Sequence, residues 1–208
     1  MFFANRPLAN RCLMFGWFAN LDVESGVIME HQLEETTVLL ARTPAVLNSL
    51  LRDLPDTWTR RNEGVSTWSP FDIVIHLIHA ERTDWVARVN TIMQFGDNQA
   101  FEPFDREGNQ QESRDQSLAQ LLDEFARLRT ANLDRLRALN LQTTDLARRG
   151  RHPNFGVVTL SQLLATWATH DLTHLHQISR VMAHQYREAV GPWSVYLGVL
   201  QCKGHSSE

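Results

Sequence analysis

The 208-residue chain has only two cysteines, Cys12 and Cys202, and they lie at opposite ends of the sequence. They form no C-x-x-C pair, so the sequence indicates neither a disulfide framework nor a thiolate zinc site, and a reducing cytoplasm fits best. The apolar run at 12–19 is too short to span a bilayer, and no signal-peptide pattern accompanies it. The net charge of −4, with no basic stripe, argues against a nucleic-acid partner. We therefore expect no membrane and no nucleic-acid partner.

Internal repeats, strand-like alternation and several enzyme signatures are also missing. There is no Ser-His-Asp signature, phosphate-binding loop or dinucleotide fingerprint. The hydrophobic content of 43% and the charged content of 21% are typical of one globular domain. We predict that this domain covers residues 29–188, that residues 1–28 are a poorly ordered extension, and that residues 189–208 form a short C-terminal helix and tail.

Apolar residues at helical spacing predict four long helices and one short one. The first helix runs from Glu30 to about Leu54, with a kink or break at Pro44, and the second runs from about Pro70 to about Phe95 after an N-cap at Ser69. The third helix follows a capping box at Ser113–Gln116, and the fourth follows a capping box at Thr159–Gln162. The short helix runs from Ser194 to about Gln201. Loops are expected at 96–112 and 140–158. The fold class is therefore all-α, a four-helix bundle.

The fourth helix carries a histidine pair. His170 and His174 are four residues apart, so they project from one helix face as neighbours and can share a ligand. His174 also occupies a position of the apolar stripe, where an imidazole needs a polar partner. His176 is expected to point to the far side of the helix.

The second helix supplies further histidines, His76 and His79, inside a segment that is apolar nearly all round. Such a segment is buried on more than one side, so its histidines should be enclosed. Three imidazoles from two bundle helices would form a metal site with an open coordination position, which is typical of catalytic sites. In the alternative interpretation, these histidines are core residues bonded to backbone carbonyls and water.

These residues resemble a family. Trp68-Ser-Pro-Phe-Asp-Ile-Val-Ile-His76-Leu-Ile-His-Ala-Glu81-Arg, followed by Thr159-Leu-Ser-Gln-Leu-Leu and His170-Asp-Leu-Thr-His174-Leu-His-Gln-Ile178, is similar to the DinB-like superfamily of four-helix metalloproteins, over about residues 30–185. The resemblance implies an up-down-down-up bundle, a homodimer, and a divalent metal, zinc or nickel, bound by His76, His170 and His174. His79 matches no ligand position of the family, so we expect it to pack or to line the pocket.

The resemblance also implies a class of reaction. Characterised members include thiol-dependent S-transferases and isomerases that use low-molecular-weight thiols, and some are hydrolases. We therefore expect a metal-dependent transferase or hydrolase that acts on a small molecule, with a metal-bound water or thiol as nucleophile. The alternative is a non-catalytic, stress-associated bundle that binds a metal or another ligand. DNA processing is disfavoured by the acidic charge balance.

Other residues are candidates for supporting roles. A metal-bound imidazole normally donates its other N–H to an acceptor, and Asp171, Glu81 and Asp84 are close enough in sequence to serve, although each also suits a cap or the surface. Three tryptophans, namely Trp68, Trp85 and Trp167, are candidates for a pocket wall or for plain core. The arginines of segment 148–151 either contact an anionic substrate or lie solvated in the loop.

Overall fold

The computed structural model describes residues 31–105 and 115–202. Its α-helices are α1 (Leu33–Leu51), α2 (Asp56–Thr59), α3 (Pro70–Thr83), α4 (Trp85–Phe95), α5 (Leu118–Ala138), α6 (Leu160–His184) and α7 (Gly198–Gln201). Strands β1 (Arg149–His152) and β2 (Gly156–Thr159) form one antiparallel hairpin, and 3-10 turns occur at Gly96–Asn98, Asp145–Ala147 and Gly191–Tyr196. The four-helix bundle is confirmed. Within the described ranges, no helix is long and apolar enough to cross a membrane.

The directions of the four long helices α1, α3, α5 and α6 follow from contacts between pairs of them. α1 and α6 run parallel, because His31 contacts Ser161 near the start of both helices and Thr43 contacts Asp171 further along both. α1 and α5 run antiparallel, because the end of α1 bonds to the start of α5, through Arg52 and the carbonyl of Ala119. α3 and α6 also run antiparallel, so α3 and α5 share one direction. This is the up-down-down-up order that the family resemblance implies.

Polar side chains form a layer between two apolar clusters of the core. One cluster lies towards the start of α6, around the fully buried Leu164 and Trp167, and the other lies towards its end, around Ile178. Between them, buried polar residues of several helices face inward, which is unusual for a bundle core unless every group is bonded. The histidines of interest lie in this layer.

Capping boxes fix the starts of three rods. The N-cap predicted at Ser69 and the capping box predicted at Thr159–Gln162 are both present, and both sites form capping boxes in which the hydroxyl accepts from the backbone N–H three residues on. The third rod begins later than predicted, because Ser117 and Gln120 form its capping box. Ser113, which was predicted to cap it, lies outside the described residues.

The second predicted helix is two helices. The chain leaves regular helical geometry at Asp84 (φ −107°, ψ −73°), and α4 begins at Trp85. The apolar face of α4, which includes Val89 and Ile92, is buried in the core. No glycine or proline marks this point, so the sequence pattern alone predicts one continuous helix.

Of the kink or break predicted at Pro44, the break is absent, because the first helix continues through this residue. A proline has no N–H, so the carbonyl of Leu40, four residues earlier, loses its helical partner. Arg129 of α5 replaces that partner: its Nη1 donates to the Leu40 carbonyl at 2.8 Å. A tertiary hydrogen bond therefore satisfies the carbonyl that the proline leaves free.

The hairpin was not predicted, since 140–158 was expected to be a loop. Its strands are four residues each and carry no apolar alternation, but they are fixed by contacts with distant segments. The N–H of Phe101 bonds to the carbonyl of Arg151 at 2.8 Å, so the hairpin holds the segment 99–105 in place. Near the C-terminus, the predicted helix from Ser194 is divided between a 3-10 turn and the short α7.

Gly150 packs against the core too closely for any side chain. A Cβ there would lie 2.6 Å from Cγ1 of Ile92 and 2.8 Å from Cζ of Phe101, which are both buried. We expect Gly150→Ala to lower the free energy of unfolding by about 1–3 kcal/mol, as overpacking does. Urea denaturation measures the change. Gly64→Ala is the control, because its nearest neighbour would be 4.0 Å away, and equal stability of both variants would contradict the prediction.

Candidate metal centre

The imidazoles of His76, His170 and His174 converge on one point. Nε2 of His170 lies 3.1 Å from Nε2 of His76 and 3.1 Å from Nε2 of His174. The nearest ring nitrogens of all three lie within 4.8 Å of one another. His76 and His174 are buried, and His170 is partly exposed. The structure therefore brings together the three histidines that the sequence singled out, from α3 and α6.

This geometry fits a shared cation better than it fits hydrogen bonds. A ring nitrogen has one in-plane site, so Nε2 of His170 can form only one good hydrogen bond, yet it has two neighbours at 3.1 Å. Two imidazoles bound to one ion at about 2.0–2.1 Å place their nitrogens roughly 3 Å apart. The residues present therefore fit a divalent metal.

Gln177 fixes the tautomer of one imidazole. Its Oε1 lies 2.8 Å from Nδ1 of His174, so Nδ1 carries the proton and donates it to the amide oxygen. The lone pair of Nε2 is then directed at the shared point, as a metal ligand requires. The sequence analysis missed Gln177, although its position three residues after His174 on the same helix face is the signal that indicates it.

Aromatic rings surround the cluster. The ring of Trp68 lies 4.7 Å from that of His76, Trp85 lies 5.0 Å from His170, and Phe104 lies 5.6 Å from His76, all between centroids. Trp68 and Trp85 thus contact the histidine rings, and Trp85 is also a buried member of a core cluster. Trp167 is fully buried in the core, where its indole N–H donates to Glu81 at 3.0 Å.

A buried arginine lies behind the cluster. Arg129 is 1% exposed, and its guanidinium donates to both oxygens of Asp171, at 2.6 and 3.0 Å, and to Oε1 of Glu81, at 2.8 and 3.1 Å. Thr43 donates to Asp171 and Asn132 donates to Glu81, so most remaining lone pairs are also bonded. Because Asp171 directly follows His170, this network holds the backbone from which His170 projects.

The three predicted acceptors for the imidazoles bond elsewhere. The carboxylates of Asp171 and Glu81 bind Arg129, and Asp84 pairs with Arg88 one turn along its own helix. The sequence analysis missed Arg129, since a single charged residue in an amphipathic helix is usually assigned to the solvated face. Its spacing of four residues from the buried Phe125 is the signal that places it on the inner face.

The remaining candidates stand apart from the cluster. His176 is exposed, as expected, and His79 is buried one turn after His76 without joining the three-histidine group. The arginines of segment 148–151 bond to local acids and carbonyls: Arg148 to Met93 and Asp145, and Arg149 and Arg151 to Asp97. These contacts favour the solvated-loop interpretation over a cluster that binds an anionic substrate.

Burial lowers the pKa of His170 well below 6.5, and the neighbouring His174, His76 and Arg129 lower it further. The pKa of His174 is lowered as well, chiefly by burial. The folded protein therefore holds these imidazoles neutral, and a neutral imidazole is the form that binds a metal.

The unfolding free energy of the metal-free protein should depend on pH through this group. Between the lowered pKa of His170 in the folded state and its unfolded value of 6.5, the unfolded chain binds more protons than the folded protein. The contribution of His170 to the free energy of unfolding is therefore fully present above pH 6.5 and is lost as the pH falls. We expect denaturation midpoints of chelator-treated protein to drop from pH 7.5 to pH 5, and to drop less in His170→Gln. An equal pH dependence of wild type and variant would contradict this assignment.

Arg129→Met should be strongly destabilising, because it leaves two buried carboxylates without their counter-charge. We expect a loss of about 3–5 kcal/mol in the free energy of unfolding, or failure to fold. Arg137→Met is the matched control: its ion pair with Asp134 is exposed, and such pairs contribute about 1 kcal/mol or less. Guanidinium denaturation compares the stabilities of the two variants, and similar unfolding midpoints would show that the buried network does not stabilise the fold.

Comparison with known proteins agrees with the four-helix fold. The family model of the DinB superfamily matches residues 39–178. YfiT from Bacillus subtilis, described as a probable metal-dependent hydrolase with an unusual four-helix bundle topology, superposes with a TM-score of 0.64 at 18% sequence identity, over 80% of this chain and 92% of YfiT. No curated protein matches the sequence. Since the family match covers well over half of the chain and includes all three clustered histidines, this protein belongs to the DinB superfamily.

Proposed function

We propose that this protein is a metal-dependent enzyme that acts on a small molecule, as a thiol S-transferase or a hydrolase. The observation that carries the proposal is the convergence of His76, His170 and His174 on one point at Nε2 separations of 3.1 Å. The description of YfiT as a probable metal-dependent hydrolase supports the same class of activity. The fit of neutral imidazoles to a divalent cation supports the metal requirement.

The three histidines would hold the metal, and zinc or nickel is the proposed ion because imidazole suits both. A divalent ion bound there lowers the pKa of a coordinated water or thiol, in the case of zinc-bound water to about 7. Gln177 keeps His174 in the tautomer that presents Nε2. Three protein ligands leave a coordination position for a small ligand, which is the arrangement of catalytic rather than structural sites.

The surrounding rings would keep water away from the reacting groups. Trp68, Trp85 and Phe104 enclose the imidazoles, and a low-dielectric environment strengthens interactions between charges. His170 also lines an open pocket of about 490 Å³ with polar and small residues of α6. We propose this side as the route by which a small substrate reaches the site.

The proposed co-substrate, location and assembly follow from the chemistry and from the family resemblance. A low-molecular-weight thiol is the proposed co-substrate of the transferase activity, and the reducing cytoplasm is the proposed location. A homodimer, which the family resemblance implies, is the proposed assembly. Size-exclusion chromatography with light scattering distinguishes a dimer from a monomer.

The metal ligands can be tested one by one. We expect His76→Ala, His170→Ala and His174→Ala to lose bound metal, whereas His79→Ala and His176→Ala keep most of it. Elemental analysis of protein purified without an affinity tag gives the metal content per chain. Loss of metal from His79→Ala but not from His76→Ala would show that the ligand of the second helix is wrongly assigned.

Turnover distinguishes an enzyme from a binding bundle. The metal-loaded protein would be assayed for hydrolysis of p-nitrophenyl acetate and for conjugation of 1-chloro-2,4-dinitrobenzene with cysteine. We expect at least one activity, lost on chelation and in His174→Ala, and unchanged in His176→Ala. Stoichiometric metal with no turnover of a panel of esters and thiol acceptors would instead favour the non-catalytic bundle.

A further inference from the structure

His79 is a buried side chain whose ring nitrogens bond to none of the described residues. Its ring is 7% exposed, and neither Nδ1 nor Nε2 has a hydrogen-bond partner within the part of the chain that the structure describes. Every hydrogen-bond donor of Arg129, by contrast, is directed at an acceptor in the same layer. His79 therefore differs from the structural polar groups around it.

An unsatisfied buried imidazole has a measurable cost. A polar group removed from water without a replacement bond destabilises the folded state, and a phenyl ring of similar size at the same place would avoid this cost. Packing alone therefore gives no physical reason for a histidine at this position. A partner that arrives with a bound ligand gives such a reason.

His79 lies next to the proposed metal centre. It follows His76 by three residues on α3, so the two side chains share one helix face and are displaced by about 4.5 Å along the axis. The ring of Phe104 touches both, at 5.1 Å from His79 and 5.6 Å from His76 between centroids. The nitrogens of His79 are not among those that converge with the other three histidines, so its position is beside the cluster rather than in it.

We propose that His79 contacts the substrate, forming a hydrogen bond with a ligand that is bound at the open position beside His76. This inference rests on the proposed metal site. The ligand has one atom for the metal and a directly neighbouring polar group for His79, and its apolar part packs on Phe104. Small acyl compounds, in which a carbonyl and a neighbouring N–H or leaving group have this spacing, are the substrate class that fits.

The experiment uses the zinc-loaded protein and acetohydroxamate, whose two oxygens bind a metal while its N–H remains available. Isothermal titration gives the affinity in wild type, His79→Phe and His79→Gln, and elemental analysis confirms the zinc content of each. His79→Phe keeps the ring shape without a polar atom, and His79→Gln keeps a hydrogen-bonding group. His176→Phe is the matched control, since His176 is exposed on the far side of α6.

We expect His79→Phe to keep its zinc, to melt at or above the wild-type temperature, and to bind acetohydroxamate about tenfold more weakly, as the loss of one buried hydrogen bond implies. His79→Gln should lose less affinity, and His176→Phe none. Wild-type affinity in His79→Phe would overturn the inference, and so would loss of zinc in both His79 variants, which would make His79 a ligand. Failure of wild type to bind acetohydroxamate would also overturn it.

The titration needs no turnover, so it separates this inference from the proposed activity. A zinc-loaded wild type that binds acetohydroxamate but converts no substrate contradicts the enzymatic proposal and leaves the role of His79 supported by its variants. If the wild type is active but binds acetohydroxamate no more tightly than His79→Phe, the enzymatic proposal stands and His79 is not part of the site.

Discussion

The structure depends on one buried guanidinium. Arg129 of α5 joins Glu81 of α3, Asp171 of α6 and the Leu40 carbonyl of α1, so a single side chain bonds to every long rod of the bundle. A buried charge is tolerated only when its partners are complete, and this one has its partners within 3.1 Å. Because the network joins Glu81 of α3 to Asp171 of α6, it holds these two helices in the register in which His76 faces His170.

The same network affects the electrostatics of the metal centre. Glu81 and Asp171 bind the Arg129 guanidinium beside the imidazoles. Burial lowers the pKa of both His170 and His174; Arg129 adds to this effect at His170, whereas Asp171 opposes it at His174. These two imidazoles are therefore held neutral, which is the form that binds a metal. The rings of Trp68 and Phe104 pack against His76.

Much of the fold could be predicted from the sequence, because helix periodicity and capping are local properties. The bundle, the caps at Ser69 and Thr159 and the three converging histidines all follow from spacing or from the family resemblance. The misses depend on tertiary contacts. The helix continues through Pro44, where Arg129 bonds to the carbonyl that proline leaves free. The hairpin pairs with Phe101. Neither contact can be predicted from the local sequence. For the same reason the sequence could not show that Asp171 and Glu81, two candidate acceptors for the imidazoles, bind Arg129.

The proposed function therefore depends on imidazoles from α3 and α6 that bind one cation. X-ray absorption at the metal edge, on protein purified without an affinity tag, tests this most directly because it reports the number and type of ligands. The account predicts a zinc or nickel spectrum with three imidazole ligands and further light-atom ligands, and only two imidazoles in His174→Ala if any metal is retained. A spectrum with fewer than three imidazoles in wild type, or with thiolate from Cys202, would contradict it.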